Sequence, residues 1–307
     1  MIIKRKLSRI FLIGAIVLFT LSCNQPKPAI VFQTDFGLKD GAVSAMKGVA
    51  RTVDDHLELF DLTHEIPAYN IWEGAYRLQQ TAEFWPAGTV FVSVVDPGVG
   101  TSRRSIVLRS KKGQYFVTPD NGTLTLIAAS QGIEAIRKID ETRNRRIGSS
   151  ASYTFHGRDV YAYTAARLAS GKISFEEVGD ILPSDSLIKI QFQAAAIEGD
   201  SIKGNIPILD IQYGNVWTNI PDSLLKAKSI KPGDQLNVRI FEKDSLRYTG
   251  TFLYANTFGE VPVGQPLCYL NSLLNLSFAI NEGNFSSINK VNSGPEWTVV
   301  VKKQGDK

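Results

Sequence analysis

Cysteine and histidine are scarce in this chain: 307 residues carry two of the first and three of the second. Cys23 and Cys268 cannot supply a disulfide framework. One thiol beside His56, His64 and His156, which show no ligand spacing, cannot build a zinc centre, so no metal is expected. A surplus of charge is missing too. The formal charge of +4 comes from Lys4, Arg5, Lys6 and Arg9; without them 30 basic residues face 30 acidic ones. That balance removes the compositional case for nucleic-acid binding. No internal repeat or low-complexity tract interrupts the chain. What is present suits a packed core, with 43% hydrophobic and 21% charged residues in a length that fits one large or two ordinary domains.

Residues 1–22 have a basic head, then an apolar run from Ile10 to Leu21, too short for a comfortable membrane span. This is the design of a secretory signal. LSC followed by Asn24 resembles a bacterial lipoprotein cleavage box, with Thr20 where Leu is usual. The expectation is an exported chain of a bacterial cell envelope, lipidated at Cys23, its only membrane contact being that anchor. An uncleaved anchor is the alternative. Residues 23–28 read as a linker, and Cys268, in PLCYL, as a buried core residue.

Strand and helix patterns alternate through about residue 182. AIVFQTDFG, LELFDLTHEI and GTVFVSVVDPGVG read as strands running into polar ends, and SIVLRS and YFVTPDNG as two more. Residues 40–53, 69–84 and 155–169 read as helices, with another opening at Asn121-Gly122. The spacing predicts an α/β domain over 29–187 with a mainly parallel central sheet. From 188 to 307 short alternating runs such as QLNVRIF and GTFLYA, separated by turn signals, predict an all-β domain, a small barrel or sandwich.

Polar clusters gather at the predicted strand ends: Asp35 in TDFG, Asp61 and His64 in DLTH, Asp96 in VVDPGVGTSRR. Open α/β sheets bind ligands beyond the carboxyl ends of their strands. Taken singly each cluster is weak, because Asp before Gly or Pro is ordinary turn chemistry. PGVGT lacks the spacing of either nucleotide fingerprint, and TDFG stands without the other kinase elements. A fourth cluster, TFHGRD, enters a helix with His156 near its N-terminus.

TDFG…MKGV, DLTHEIP, VVDPGVGT with two following arginines, PDNG, FHGRD, GNVWTNI and YLNS occur in this order. Together they resemble the S-adenosylmethionine hydroxide adenosyltransferase family, relatives of the fluorinase and chlorinase enzymes, over roughly residues 29–302. The resemblance implies an N-terminal α/β domain, a C-terminal β-barrel and a trimer with sites between subunits. It implies hydrolysis of S-adenosylmethionine to adenosine and methionine without a cofactor. Carried over position by position, the water-activating set falls on Asp96, Arg103 and His156. Asp35 matches the acid that grips the ribose hydroxyls, and Tyr69 an aromatic wall beside them. Asp210 matches a carboxylate for the methionine amine. Tyr213 and Phe258 match aromatics on the adenine, and Asn215 a partner of the base. Ser272 falls in the methionine-binding stretch.

The halogenating relatives have Tyr where this chain has Asp96, Ser where it has Gly157, and Arg where it has Leu273. The first two departures favour water over halide; the third leaves the methionine carboxylate without its usual partner. Trp217 reads as core, and His64 and Asp61 as residues that shape a strand end. Two other functions compete with hydrolysis. One is an adenosine- or S-adenosylmethionine-binding lipoprotein without turnover, the other a halogenase of the same fold.

Overall fold

The computed structural model describes residues 29–305. The expected signal segment, Cys23 and the linker lie outside the described residues. Within them, no helix is long and apolar enough to cross a membrane.

The chain opens with β1 (Ile30–Thr34), α1 (Ala42–Val53), β2 (Leu59–Thr63), α2 (Ile71–Ala82) and β3 (Val90–Val94). It continues through β4 (Ser105–Ser110), β5 (Tyr115–Pro119), α3 (Thr125–Gln131) and β6 (Ile133–Lys138). A π-helical turn (Gly157–Ala162) leads into α4 (Tyr163–Ala169), and β7 (Ile181–Leu182) follows. These seven strands form one sheet in the order β2-β1-β3-β5-β4-β6-β7.

The sheet is mixed, not mainly parallel. β2, β1, β3 and β5 run parallel, while β4, β6 and β7 are antiparallel to their neighbours. Chain length is the cause: residues 111–114 alone join β4 to β5, and a parallel crossover needs a dozen or more. Strand β3 is buried on both faces, as its largely apolar run, broken only by a hydrogen-bonded Ser93, requires. Val90, Val92 and Val94 pack towards α1 and α4, and Phe91 packs with Leu78 of α2 and Ile127 of α3. Each such side chain contributes about 1.5–3 kcal/mol by burial. The expected helix over 155–169 is divided, its first turn widened to π geometry.

The remainder is dominated by a second, nine-stranded sheet. Its strands are β8 (Ala196–Glu198), β9 (Ser201–Ile206), β10 (Ile208–Asp210), β11 (Asn215–Pro221), β12 (Gln235–Glu242), β13 (Ser245–Tyr254), β14 (Pro266–Leu270), β15 (Asn275–Ile280) and β16 (Gly294–Lys303). Two short helices, α5 (Asp222–Ala227) and α6 (Phe285–Asn289), interrupt the run. All pairings are antiparallel except β13 with β14. β9 and β11, distant in strand order, meet where the Asn205 N–H donates to Asn219 Oδ1 at 2.7 Å. Gly204 permits the approach, since a Cβ there would lie 2.6 Å from the Ile220 side chain. No ladder joins β9 to β11 among the described residues, so the sheet folds over on itself without closing into a continuous ladder. Cys268 is buried in this second core, as its apolar setting predicts.

Two ties hold the sheets together through α2. Trp72 Nε1 donates to Pro207 O at 2.8 Å, and Arg77 Nη2 to Leu209 O at 3.1 Å. The backbone N–H groups of Ile188 and Ile190 are bound by the Asp120 and Thr125 side chains, so the connecting segment runs along the first sheet.

Candidate functional site

Strands β1 and β3 are adjacent and parallel, and both release their chains at the same edge. β3 ends at Val94, and the turn that follows brings Arg103 back across Asp96. Thr101 N–H donates to Gly98 O at 3.1 Å, and the Thr101 hydroxyl to the same oxygen at 2.7 Å. Gly98 has no spare space: a Cβ there would lie 3.2 Å from Arg103 Cγ. Gly100 takes a φ of +78°, a left-handed value that suits glycine. The acid followed seven residues later by an arginine is therefore a closed fork. Arg103 Nε donates to Asp96 Oδ1 at 3.0 Å and Nη2 to Oδ2 at 2.5 Å. Burial, the largest single effect, draws the Arg103 value down, but the Asp96 bond together with the neighbouring Tyr161, Asp96 and Glu141 groups holds the guanidinium above its ordinary value.

The third donor of Arg103, Nη1, reaches Ser105 Oγ at 2.9 Å. That hydroxyl donates to Glu141 Oε1 at 3.0 Å, and Tyr161 Oη stands 3.3 Å from it. The other Glu141 oxygen lies 3.4 Å from His156 Nε2 and accepts from Arg145 Nη2 at 3.1 Å. The Asp96–Arg103 fork and His156, far from it in sequence, are thus the two ends of one continuous polar chain. His156 is 5% exposed, and its Nδ1 is buried without a partner. The His156 bond, foremost, holds the Glu141 carboxyl well below its usual range, at about 2, against the opposing effect of burial. Burial pushes the Tyr161 phenol up, so it stays protonated.

Asp35 and Tyr69 form a second pair beside the first. Tyr69 N–H donates to Asp35 Oδ2 at 2.9 Å, from a backbone held at φ 69°. A non-glycine residue in that region is strained. Helix α2 comes close enough to hold the loop because residue 74 is glycine; Gln33 Nε2 donates to its carbonyl at 2.9 Å. Phe36, next to Asp35, packs edge-on against Phe155, next to His156, with ring centres 5.8 Å apart. Gly157 abuts the same Phe36 ring, where a Cβ would be 3.3 Å away. His64 and Asp61 support this corner. His64 Nε2 is 2.9 Å from Asp61 Oδ1, and its Nδ1 is 2.8 Å from Thr34 Oγ1. Lys47 donates to the other Asp61 oxygen at 2.6 Å. Both residues shape the strand end, as the sequence suggests.

The other candidates lie on the second sheet. Asp210, Tyr213, Asn215 and Phe258 line one cavity of about 780 Å³. Asn215 Nδ2 donates to Asp210 Oδ2 at 3.2 Å, and the turn between them closes with Gly214 N–H on Asp210 O at 2.7 Å. Phe258 packs against Tyr269, whose phenol burial pushes up to about 12. Ser272 does not join this group; with Leu273 it lines a separate cavity of about 840 Å³ between the sheets, beside Trp72 and Phe84. The rings of Tyr69 and Tyr213 face outward, 72% and 66% exposed.

Sequence reasoning missed Ser105, Glu141, Arg145, Tyr161 and Tyr269. Glu141 and Arg145 sit in IDETRNRR, which reads as a solvated charged loop, and no local signal marks them. Among the described residues, the grouping of metal-ligating types at Asp54, Asp55 and His56 is at the end of α1. Asp55 and His56 are exposed and Asp54 is partly buried, and the set carries a surface contact of 2.7 Å between His56 and Asp55.

Residues 30–179 match the family model of the SAM hydroxide adenosyltransferase N-terminal domain, and residues 204–298 that of its C-terminal domain. The chain belongs to this family. An (R)-S-adenosyl-L-methionine hydrolase of Salinispora tropica is 34% identical, the match covering 90% of this chain and 99% of that one. A protein of the same name from Methanocaldococcus jannaschii is 36% identical over 79% and 84% of the two chains. A fluorinase of Actinoplanes sp. is 27% identical over 90% and 98%. The crystal structure of an uncharacterized conserved protein from Thermotoga maritima matches this family member with a TM-score of 0.82 at 36% identity, covering 89% and 99%.

Proposed function

We propose that this family member hydrolyses S-adenosylmethionine at ribose C5′, giving adenosine and methionine, and that its substrate is the (R) diastereomer named for its relatives. The observation that carries the reading is the Asp96–Arg103 fork joined to a buried histidine with one free ring nitrogen. The leaving group is a neutral thioether and needs no acid. Water is the weak partner; it must be aligned behind C5′ and lose a proton. Asp96, fixed by Arg103, accepts a hydrogen bond from that water, and His156 takes the proton. A carboxylate offers only acceptor lone pairs, which suit the O–H of water and repel a halide. Asp35 and Tyr69 hold the ribose. Asp210, Asn215, Tyr213 and Phe258 hold the methionine amine and the adenine; each base–aromatic contact contributes about 1–3 kcal/mol. Ser272 sits beside the path of the methionine end. The reaction uses no resident cofactor.

The ribose and adenine residues belong to different sheets and line different surfaces, with exposed rings on both. This supports a homotrimer in which the second sheet of one subunit completes the site on the first sheet of its neighbour, the second sheet forming the barrel of the family fold. Cys23 anchors the exported chain in the envelope; the boundary between domains falls at residue 188.

The test uses the full-length protein in detergent with each diastereomer, with and without chloride or fluoride, following adenosine by chromatography. Catalytic adenosine release independent of halide is expected. Stoichiometric binding without turnover, or a 5′-halogenated product, overturns the reading.

A further inference from the structure

The polar chain contains one choice that distances alone leave open and chemistry decides. His156 Nε2 has two neighbours, Arg145 Nη2 at 3.2 Å and Glu141 Oε2 at 3.4 Å. A guanidinium only donates and an ionised carboxylate only accepts. If Arg145 donated to Nε2, the proton of the neutral ring would sit on Nδ1, and His156 would offer its free side as a donor. If Nε2–H points at Glu141, Nδ1 carries a bare lone pair. Arg145 does not need the ring. Its Nη2 has Glu141 Oε2 at 3.1 Å, its Nη1 donates to Ser152 O at 3.3 Å, and its plane lies 4.6 Å over the Tyr153 ring. The bond from Nε2–H to an ionised carboxylate is charge-assisted and the stronger alternative. Such bonds are often long before substrate arrives and shorten in the complex.

We propose that Glu141 is the positioning residue for His156, fixing the tautomer in which Nδ1 is bare, and that Nδ1 is the atom that accepts the proton of the attacking water. The inference rests on the hydrolase reading above. In the step, a water O–H bond breaks and Nδ1–H forms. At the same time O–C5′ forms and C5′–S breaks, with the electron pair leaving on sulfur. The positive charge of the sulfonium moves to the imidazolium, which the Glu141 carboxylate faces. The proton then passes from Nδ1 to solvent as products depart. Glu141 is well placed to remain ionised throughout, being half-buried and hydrogen-bonded by Ser105, Arg145 and His156. Arg103 closes the far end of the same chain through Ser105, so the water-holding fork and the proton acceptor share one support.

The charged and titratable groups around the ring are Glu141 and Arg145 from the loop, Tyr153 at 6.3 Å and Tyr161 at 6.4 Å between ring centres. Only Glu141 presents a negative charge to Nε2 within this set. Removing it makes the imidazolium harder to form, so the acid limb of the kcat profile moves to lower pH while the plateau falls.

Two measurements test this on the full-length protein. The first is ¹⁵N NMR with labelled histidine, using His156→Asn to assign the signal among three histidines. Protonated Nε2 with a bare Nδ1 is expected in the wild type; a proton on Nδ1 overturns the assignment. The second is Glu141→Gln kinetics across pH. A drop in kcat of about 100-fold is expected with KM nearly unchanged, and the acid limb moves to lower pH. Full kcat, or a loss of kcat with an unmoved limb and a lowered Tm, assigns Glu141 a purely structural role and overturns the proposal. If the wild type released no adenosine, the functional reading would fail, and the tautomer measurement would still decide the role of Glu141.

Discussion

The Asp96–Arg103 fork sets a measurable quantity. Both side chains are nearly dry, 5% and 10% exposed, and two parallel bonds join them. Asp96→Asn removes the negative charge and turns an amide donor towards Arg103 Nη2, leaving a buried guanidinium without its counter-charge. Breaking a buried pair from one side costs about 3–5 kcal/mol. At about 2–4 °C per kcal/mol for a unit of this size, the melting temperature falls by roughly 6–20 °C. Arg103→Met strands the carboxylate and costs a similar amount. The double variant carries no buried charge, so its loss is smaller than the sum, with a coupling of about 2–3 kcal/mol. Differential scanning calorimetry of the four proteins closes the cycle. Stability is partly recovered in the double variant and adenosine formation is not, because the water has lost its acceptor. Single losses below about 1 kcal/mol that simply add would refute the reasoning; they are the mark of a solvent-screened surface pair.

Two further outcomes are expected. Tyr69→Gly releases a left-handed backbone at φ 69° while removing a side chain that packs on little; urea unfolding should show a gain of about 1 kcal/mol, and calorimetry a loss of affinity for adenosine. Equal or lower stability would mean that the surroundings do not impose the strain. Asp159 is buried between Arg158, which donates to it twice at 2.8 Å, and Arg146 at 2.9 Å. Burial pushes its carboxyl up, but these two arginines together hold it below the ordinary value. A depressed folded value gives stability that is complete above the unfolded value of about 4 and is lost as pH falls through the folded one. Asp159→Asn should therefore lower Tm at neutral pH and flatten its fall below about pH 4; an unchanged acid slope would contradict the assignment.

The alternation of strands and helices was legible as far as β3 because each element carries its own signal: Val90–Val94 is apolar at every position but Ser93, and Asn70, which caps α2 through Glu73 N–H, precedes an amphipathic stretch. The sheet's direction was not legible beyond that point. It depends on a four-residue connection whose consequence is geometric, on β6, whose alternation is weak, and on the very short β7. Asp96, Arg103 and His156 were readable from ordered motifs. Glu141 was not, since its role arises only when a loop rich in arginine folds back onto Ser105. Ser272 was placed by motif order at the same methionine end as Asp210, and within one chain the two line different cavities.

The π-helical turn at Gly157–Ala162 acts as a phase offset. An α-helix rotates about 100° per residue, so one extra residue in a single turn swings everything upstream by that angle relative to α4. Val160, Ala162, Ala165 and Ala169 keep their seats against the sheet, while His156 is indexed round towards Glu141. Deleting one residue from that turn would leave the imidazole in the chain and re-aim it at another face of the protein.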